Sequence, residues 1–168
     1  MKNFSLTGIP RLEFGCGSVS LLPRIASEFG KRIVLVTGGS SLKNSGQHEK
    51  ILSSLSSSKF EIQEISVSQE PTPDIIDKAV KNILRKAPHV VIAIGGGSVL
   101  DTGKAISAMV AEEGSVWDFL EEKKKKKPSG SKAPFIAVPT TSGTGSEATK
   151  NAVISMVGMN GFKKSLRH

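Results

Sequence analysis

The segment that most constrains this chain is Val90–Ala105, VVIAIGGGSVLDTGKA. Five apolar residues, Val90 to Ile94, run straight into Gly95, Gly96 and Gly97. An unbroken apolar run that stops at glycine is the pattern of a strand buried on both faces. Ser98 then opens a stretch with Val99, Thr102, Ala105, Ile106 and Met109 along one side, which is helical spacing. Glycines at a strand-to-helix turn let the backbone approach a ligand closely. The free N–H groups at the start of the next helix favour an anion. The local physics points to a phosphate or diphosphate site; the competing reading is a tight turn that is merely glycine-rich. Two standard motifs fail on spacing. The dinucleotide pattern G-x-G-x-x-G would need glycine where Leu100 stands, and a P-loop counted from Gly97 reaches Gly103-Lys104 one residue late, with Ala105 in place of Ser or Thr.

The rest of the chain repeats the alternation. Arg11 to Phe14 alternates briefly before Gly15-Cys16-Gly17. Ser18 is placed to cap a helix through about Phe29, with Pro23 in its first turns. Ile33 to Thr37 reads as a buried strand ending at Gly38-Gly39-Ser40-Ser41, a second glycine turn. His48 to Leu55 reads as a helix and Phe60 to Val67 as an alternating strand. After Glu70-Pro71-Thr72-Pro73, residues Asp74 to Lys86 form an amphipathic helix. Ser115 caps a short helix through Leu120, and Pro134 to Val138 reads as another buried strand. It runs into Pro139-Thr140-Thr141-Ser142-Gly143-Thr144-Gly145-Ser146-Glu147, a loop of hydroxyls and glycines with no clear helix after it. Ala152–Val157 and Phe162–Leu166 flank Asn160-Gly161, which predicts a hairpin with a two-residue turn.

Strands and helices alternating at this spacing imply α/β architecture: a mostly parallel, Rossmann-like sheet with flanking helices and a C-terminal β-hairpin. Ligands bind such sheets at the carboxyl ends of the strands. Three turns compatible with a ligand fall there: Gly38–Ser41, Gly95–Ser98 and Thr140–Glu147.

Composition narrows the class. The 168 residues suffice for one domain with a sizeable core. No apolar run approaches a membrane span, and the N-terminal MKNFSLTGIP lacks the apolar core of a signal peptide. A lone cysteine, Cys16, excludes an internal disulfide and fits a reducing compartment, so a cytoplasmic location is expected. The net charge is +8, with Lys123 to Lys127 as one run. Such blocks are usually solvated loops. Without Tyr and with a single Trp, the aromatic interleaving of a nucleic-acid surface is missing, so no nucleic-acid partner is expected.

At Gly95–Ala105 and Ile136–Glu147 the chain resembles the iron-containing (group III) alcohol dehydrogenase family; Phe14–Gly17 and Val36–Ser41 agree. More distantly it resembles glycerol dehydrogenase and dehydroquinate synthase, which share the fold. The Pro139–Glu147 run favours the alcohol dehydrogenase branch. A stand-alone nucleotide-binding module is a further alternative.

The resemblance implies that residues 1–168 are the dinucleotide-binding domain. A C-terminal helical domain would bind Fe or Zn through one Asp and three His, outside this chain. Hydride would pass between a nicotinamide dinucleotide and a small alcohol or aldehyde, and residues 1–168 alone would be inactive. Carried over by position, Gly96, Gly97 and Ser98 would hold the diphosphate, with Asp101 just inside the helix. Thr140, Thr141 and Thr144 would line the cleft, with Thr149 and Lys163 near the ribose and nicotinamide. Many members carry Asp at the first turn, where this chain has Gly38, followed by Gly39, Ser40 and Ser41, with Lys43 nearby. Losing a carboxylate and gaining hydroxyl and amide donors suits a 2′-phosphate, so NADP is expected over NAD. His48, His89 and His168 show no ligand spacing and read as surface or boundary residues, so no metal site is expected. The face meant for the helical domain would be exposed, the hairpin would lack support, and self-association into a homo-oligomer is expected.

Overall fold

The computed structural model describes residues 10–83, 85–120, 126–156, 158–159 and 161–167. Four parallel strands form one sheet: β1 (Arg32–Gly38), β2 (Glu61–Val67), β3 (Val90–Gly95) and β4 (Phe135–Pro139), in the order β2-β1-β3-β4. The central strands β1 and β3 are the unbroken apolar runs, and every residue of β3 from Val90 to Ile94 is buried. Strand β2 is an edge and mostly exposed; Ile62 packs on one core and Ile65 and Val67 on the other, so its alternation breaks in mid-strand. Strand β4, read as buried, is the other edge and is only half-buried, because it has a neighbour on one side alone.

Side-chain alternation sends each strand's residues to two cores. On one face Ile33, Leu35, Ile92 and Ile94 pack with Leu22 and Ala26 of α1 (Leu22–Ser27), Leu42 of α2 (Ser41–Asn44), and Ile51 and Leu55 of α3 (Gln47–Ser57). On the other, Val34, Val36, Val91 and Ala93 pack with Ala79 and Ile83 of α4 (Pro73–Ile83) and Leu100 and Ile106 of α5 (Gly97–Met109). Helix α5 lies very close to the sheet. A Cβ on Gly103 would sit 2.6 Å from the Ala93 Cβ and 2.8 Å from the Phe135 ring. Gly103 thus supplies the close helix–strand approach that the third glycine gives in the dinucleotide pattern, the role that Leu100 cannot fill.

The predicted helix from Ser18 to Phe29 is shorter. Ser18–Leu21 is a 3₁₀ turn, Gly17 stands at its start with no side-chain cap, and the α-helix begins only at Leu22. Pro23 explains this: its ring would clash with the carbonyl of Val19 in a continuous α-helix. The Gly38–Ser41 turn, in contrast, feeds an unpredicted single helical turn, α2. Ser115 does cap the turn Val116–Phe119, accepting from the Trp117 N–H, while Asp77 of α4 accepts from the Ser115 hydroxyl and the Val116 N–H.

The hairpin is β5 (Asn151–Met156) with β6 (Phe162–Arg167), antiparallel. Its expected lack of support is not what is seen. Ala152, Ile154 and Leu166 are buried against Ile76 and Val80 of α4 and Ala105, Ala108 and Met109 of α5. Phe162 stacks on Trp117 with ring centroids 4.8 Å apart. The hairpin is a third layer over α4 and α5, so α5 is buried nearly all round rather than along one stripe. Met156 pairs with Phe162, leaving five positions between the strands instead of two; Asn160 lies outside the described residues, as do Lys123, Lys124, Lys125, Leu84, Val157 and His168.

His48 departs from its expected surface position. It is buried on α3 in line with Ile51 and Leu55, and its Nε2 lies 2.8 Å from Glu64 Oε2 on β2. His89 holds a corner: its Nδ1 accepts from the Lys31 N–H at 2.9 Å, directly over Gly30.

Candidate functional site

Chain direction defines the site. From β1 the chain leaves toward β2, whereas from β3 it leaves toward β4. The connections therefore diverge between β1 and β3, which opens a crevice beyond their carboxyl ends. The turns Gly38–Ser41 and Gly95–Ser98 border it.

The three predicted turns meet there. A Cβ on Gly38 would lie 3.7 Å from the Val99 side chain at the start of α5. A Cβ on Gly96 would be 3.3 Å from Thr141 Oγ1, and one on Gly97 would be 3.6 Å from the Thr144 side chain. The Thr140 N–H donates to the Gly95 carbonyl at 3.0 Å. A Cβ at Gly96 would thus crowd Thr141, while one at Gly97 would meet Thr144 in ordinary van der Waals contact, so the glycine turn and the hydroxyl loop lie against each other. The loop turns at Gly143 (φ 85°) and Gly145 (φ 63°), conformations that favour glycine.

Much of the hydrogen-bonding capacity at this edge is unused. Among the described residues, the hydroxyls of Ser40, Ser41, Ser98, Thr140 and Thr141 take no hydrogen-bond partner. Ser40, Ser41, Thr140 and Thr141 are exposed, as is Gly39, whose Cβ position lies 3.8 Å from the Ser68 Cβ. Thr144 is exposed too, and its hydroxyl donates to Glu147 Oε2 at 3.2 Å. Glycine backbone and free hydroxyls at the start of a buried helix form a surface suited to phosphate and sugar oxygens.

Three predicted site residues have their polar groups engaged within the protein. Asp101 accepts from the Ser146 hydroxyl and the Val153 N–H and pairs with Lys104 Nζ at 2.9 Å. The Thr149 hydroxyl accepts from Lys104 at 3.1 Å. Lys163, on β6, lies 3.7 Å from Glu70 just past β2, and Glu70 also accepts from the Ser155 hydroxyl. That hydroxyl, and then the Lys163 ammonium, hold the Glu70 carboxyl below its ordinary range. Sequence reasoning gave Lys104 no role, although Asp101 and Lys104 one helical turn apart on α5 were a readable signal of an ion pair.

Among the described residues, no group of three or more His, Cys, Asp or Glu is placed to hold a metal ion, and no helix is long and apolar enough to cross a membrane. Cys16 is exposed and free.

Known proteins share this arrangement. The family model for iron-containing alcohol dehydrogenase matches residues 10–168. A probable NADH-dependent butanol dehydrogenase of Bacillus subtilis is 33% identical over 156 residues, covering 92% of this chain and 40% of that protein. An NADPH-dependent butanol dehydrogenase of Clostridium saccharobutylicum is 32% identical, covering 92% of this chain and 39% of that protein. The crystal structure of an NADH-dependent butanol dehydrogenase A from Thermotoga maritima superposes with a TM-score of 0.89 at 28% identity, covering all of this chain and 42% of that one. The chain thus spans about 40% of the length of the curated relatives it matches. With a diverging parallel sheet, a glycine turn packed on a hydroxyl loop and a family match over nearly its whole length, the chain belongs to the iron-containing alcohol dehydrogenase family.

Proposed function

We propose that residues 1–168 are the nicotinamide-dinucleotide-binding domain of an alcohol dehydrogenase that interconverts a small alcohol and its aldehyde. The observation that carries this reading is the packing of Gly96 and Gly97 against Thr141 and Thr144 at the mouth of the β1–β3 crevice. Gly96, Gly97 and Ser98 would hold the diphosphate, the adenosine end would lie over Gly38–Ser41, and Thr140, Thr141 and Thr144 would line the other half. When bound, the nicotinamide supplies or accepts the hydride. The family's Fe or Zn does not fit any cluster of described residues, and the metal site is assigned to residues beyond these 168, so residues 1–168 alone are expected to bind dinucleotide without turning over alcohol.

NADP is the cofactor this reading favours. The turn after β1 carries no carboxylate, Gly38 and Gly39 open it, and Ser40 and Ser41 present free hydroxyls beside the exposed Lys43. The relatives' names include both NADH- and NADPH-dependent enzymes, so the choice rests on this turn. A cytoplasmic location fits the lone exposed thiol. Self-association is supported by the apolar side chains of Leu12 and Phe14, 77% and 95% exposed; concentration-independent monomer in light scattering would remove it.

The test is isothermal titration with NADPH and NADH. Tighter NADPH supports both the domain assignment and the Gly38 argument. Tighter NADH keeps the domain and removes the argument. No binding of either, in this chain and in one extended past His168, overturns the assignment.

A further inference from the structure

Lys104 is the most heavily engaged cation at the site. Its side chain is 12% exposed, and that of its partner Asp101 13%. Its ammonium donates to the Ser146 carbonyl at 2.8 Å, to the Thr149 hydroxyl at 3.1 Å and to the Asn151 carbonyl, and it pairs with Asp101 at 2.9 Å. Asp101 reaches back to the Ser146 hydroxyl and the Val153 N–H. Every partner beyond α5 belongs to the end of the hydroxyl loop or to the start of β5.

Burying a charge pair is a poor way to stabilise a fold, because desolvation offsets most of the attraction. It is effective at fixing one geometry, since every proton of the ammonium has a dedicated acceptor. The geometry fixed here is the seat of the loop on α5. That seat sets Thr141 against Gly96 and Thr144 against Gly97.

We propose that Lys104 is a positioning residue of the dinucleotide site: it anchors the Thr140–Thr149 loop to helix α5 and so preforms the half of the cleft that takes the diphosphate and nicotinamide. The inference rests on the dinucleotide-binding reading above. It does not involve the adenosine end, which lies over Gly38–Ser41.

The test uses the whole chain, the variants Lys104→Met and Lys104→Arg, and two probes, NADPH and adenosine 2′-phosphate, which carries the adenosine end without the diphosphate. In Lys104→Met, NADPH affinity is expected to fall about tenfold or more, as loop misplacement of an ångström allows, while adenosine 2′-phosphate binds as in the parent. Hydrogen exchange of residues 140–151 should quicken in the same variant. Arginine returns the counter-charge to Asp101, but its longer planar group does not fit three converging oxygens. Lys104→Arg should therefore recover melting temperature and not NADPH affinity. Full recovery of affinity by arginine would reduce Lys104 to a charge balance and overturn the proposal. Unchanged NADPH binding in both variants would overturn it and leave the dinucleotide reading standing. A parent chain that binds neither probe, and still binds neither when extended past His168, would overturn that reading and this inference with it. If Lys104→Met does not fold, the Lys104→Arg comparison decides.

Discussion

The two ends of the parallel sheet are built on opposite plans. At the amino end, side chains lock the backbone: His89 accepts from the Lys31 N–H, Arg32 donates to the Ala87 carbonyl, and Lys31 donates to the Ser58 carbonyl. At the carboxyl end, the turns after β1 and β3 are glycines and unpartnered hydroxyls. The amino end spends its polar groups on itself, whereas the turns after β1 and β3 keep theirs available. The same strands support both, so the functional end can be recognised by unused hydrogen-bonding capacity as well as by the direction of the chain.

Gly30→Val should produce the largest effect and break the amino end alone. Gly30 has φ 136°, and a Cβ there would lie 2.1 Å from His89 Nδ1. A loss of about 3 kcal/mol is expected in chemical denaturation, with dinucleotide affinity per folded molecule unchanged. The mirror experiment is Gly96→Val, which drives methyl groups into Thr141. It should cut NADPH affinity about 100-fold by titration, with little change in denaturation midpoint. If both variants lose stability equally, the division between the ends is wrong.

Gly38→Asp sharpens the comparison within the carboxyl end. A carboxylate there should turn preference toward NADH by about tenfold, measured as the ratio of the two dissociation constants. The smallest effect belongs to Glu70. Its carboxyl is held low by the Ser155 hydroxyl and the Lys163 ammonium. An acid with a depressed value stabilises the fold above the ordinary glutamate range and loses that contribution as pH falls through the depressed value. Melting of Glu70→Gln and the parent chain should therefore differ at neutral pH and converge in acid; an equal gap at all pH values would remove the contact's role.

The sheet was legible because β1 and β3 are unbroken apolar runs, and two buried faces demand that pattern. The carboxyl-edge turns were legible for the same reason, since glycine interrupts the runs. The hairpin register was not. A two-residue turn at Asn160-Gly161 would bring Leu166 opposite Ser155. The observed register sets Leu166 opposite Ala152, on the face that also carries Ile154 and Phe162. Burial of that face on α4 and α5 outweighs the local preference of a dipeptide. The bracing by Asp101, Lys104 and Ser146 was hidden by distance along the chain, because nothing local marks Ser146 as the partner of a helix more than forty residues earlier. His48, in contrast, stood in register with Ile51 and Leu55, and its burial could have been read from helical spacing alone.

The third layer has a consequence for the order in which the molecule is made. All four strands of the main sheet are complete by Pro139, before any of β5 exists. A chain emerging from the ribosome can therefore close its sheet while Ala105, Ala108 and Met109 have only Ile76, Val80, Val116, Phe119 and Leu120 of their cluster for cover. Their cover is completed when Ala152, Ile154 and Leu166 arrive, and the Ser155 N–H then reaches back to the Pro71 carbonyl, a long-range closure that comes late. A chain truncated after Pro139 should bind an apolar dye on α5, and extension through Arg167 should extinguish that signal as the last layer seats.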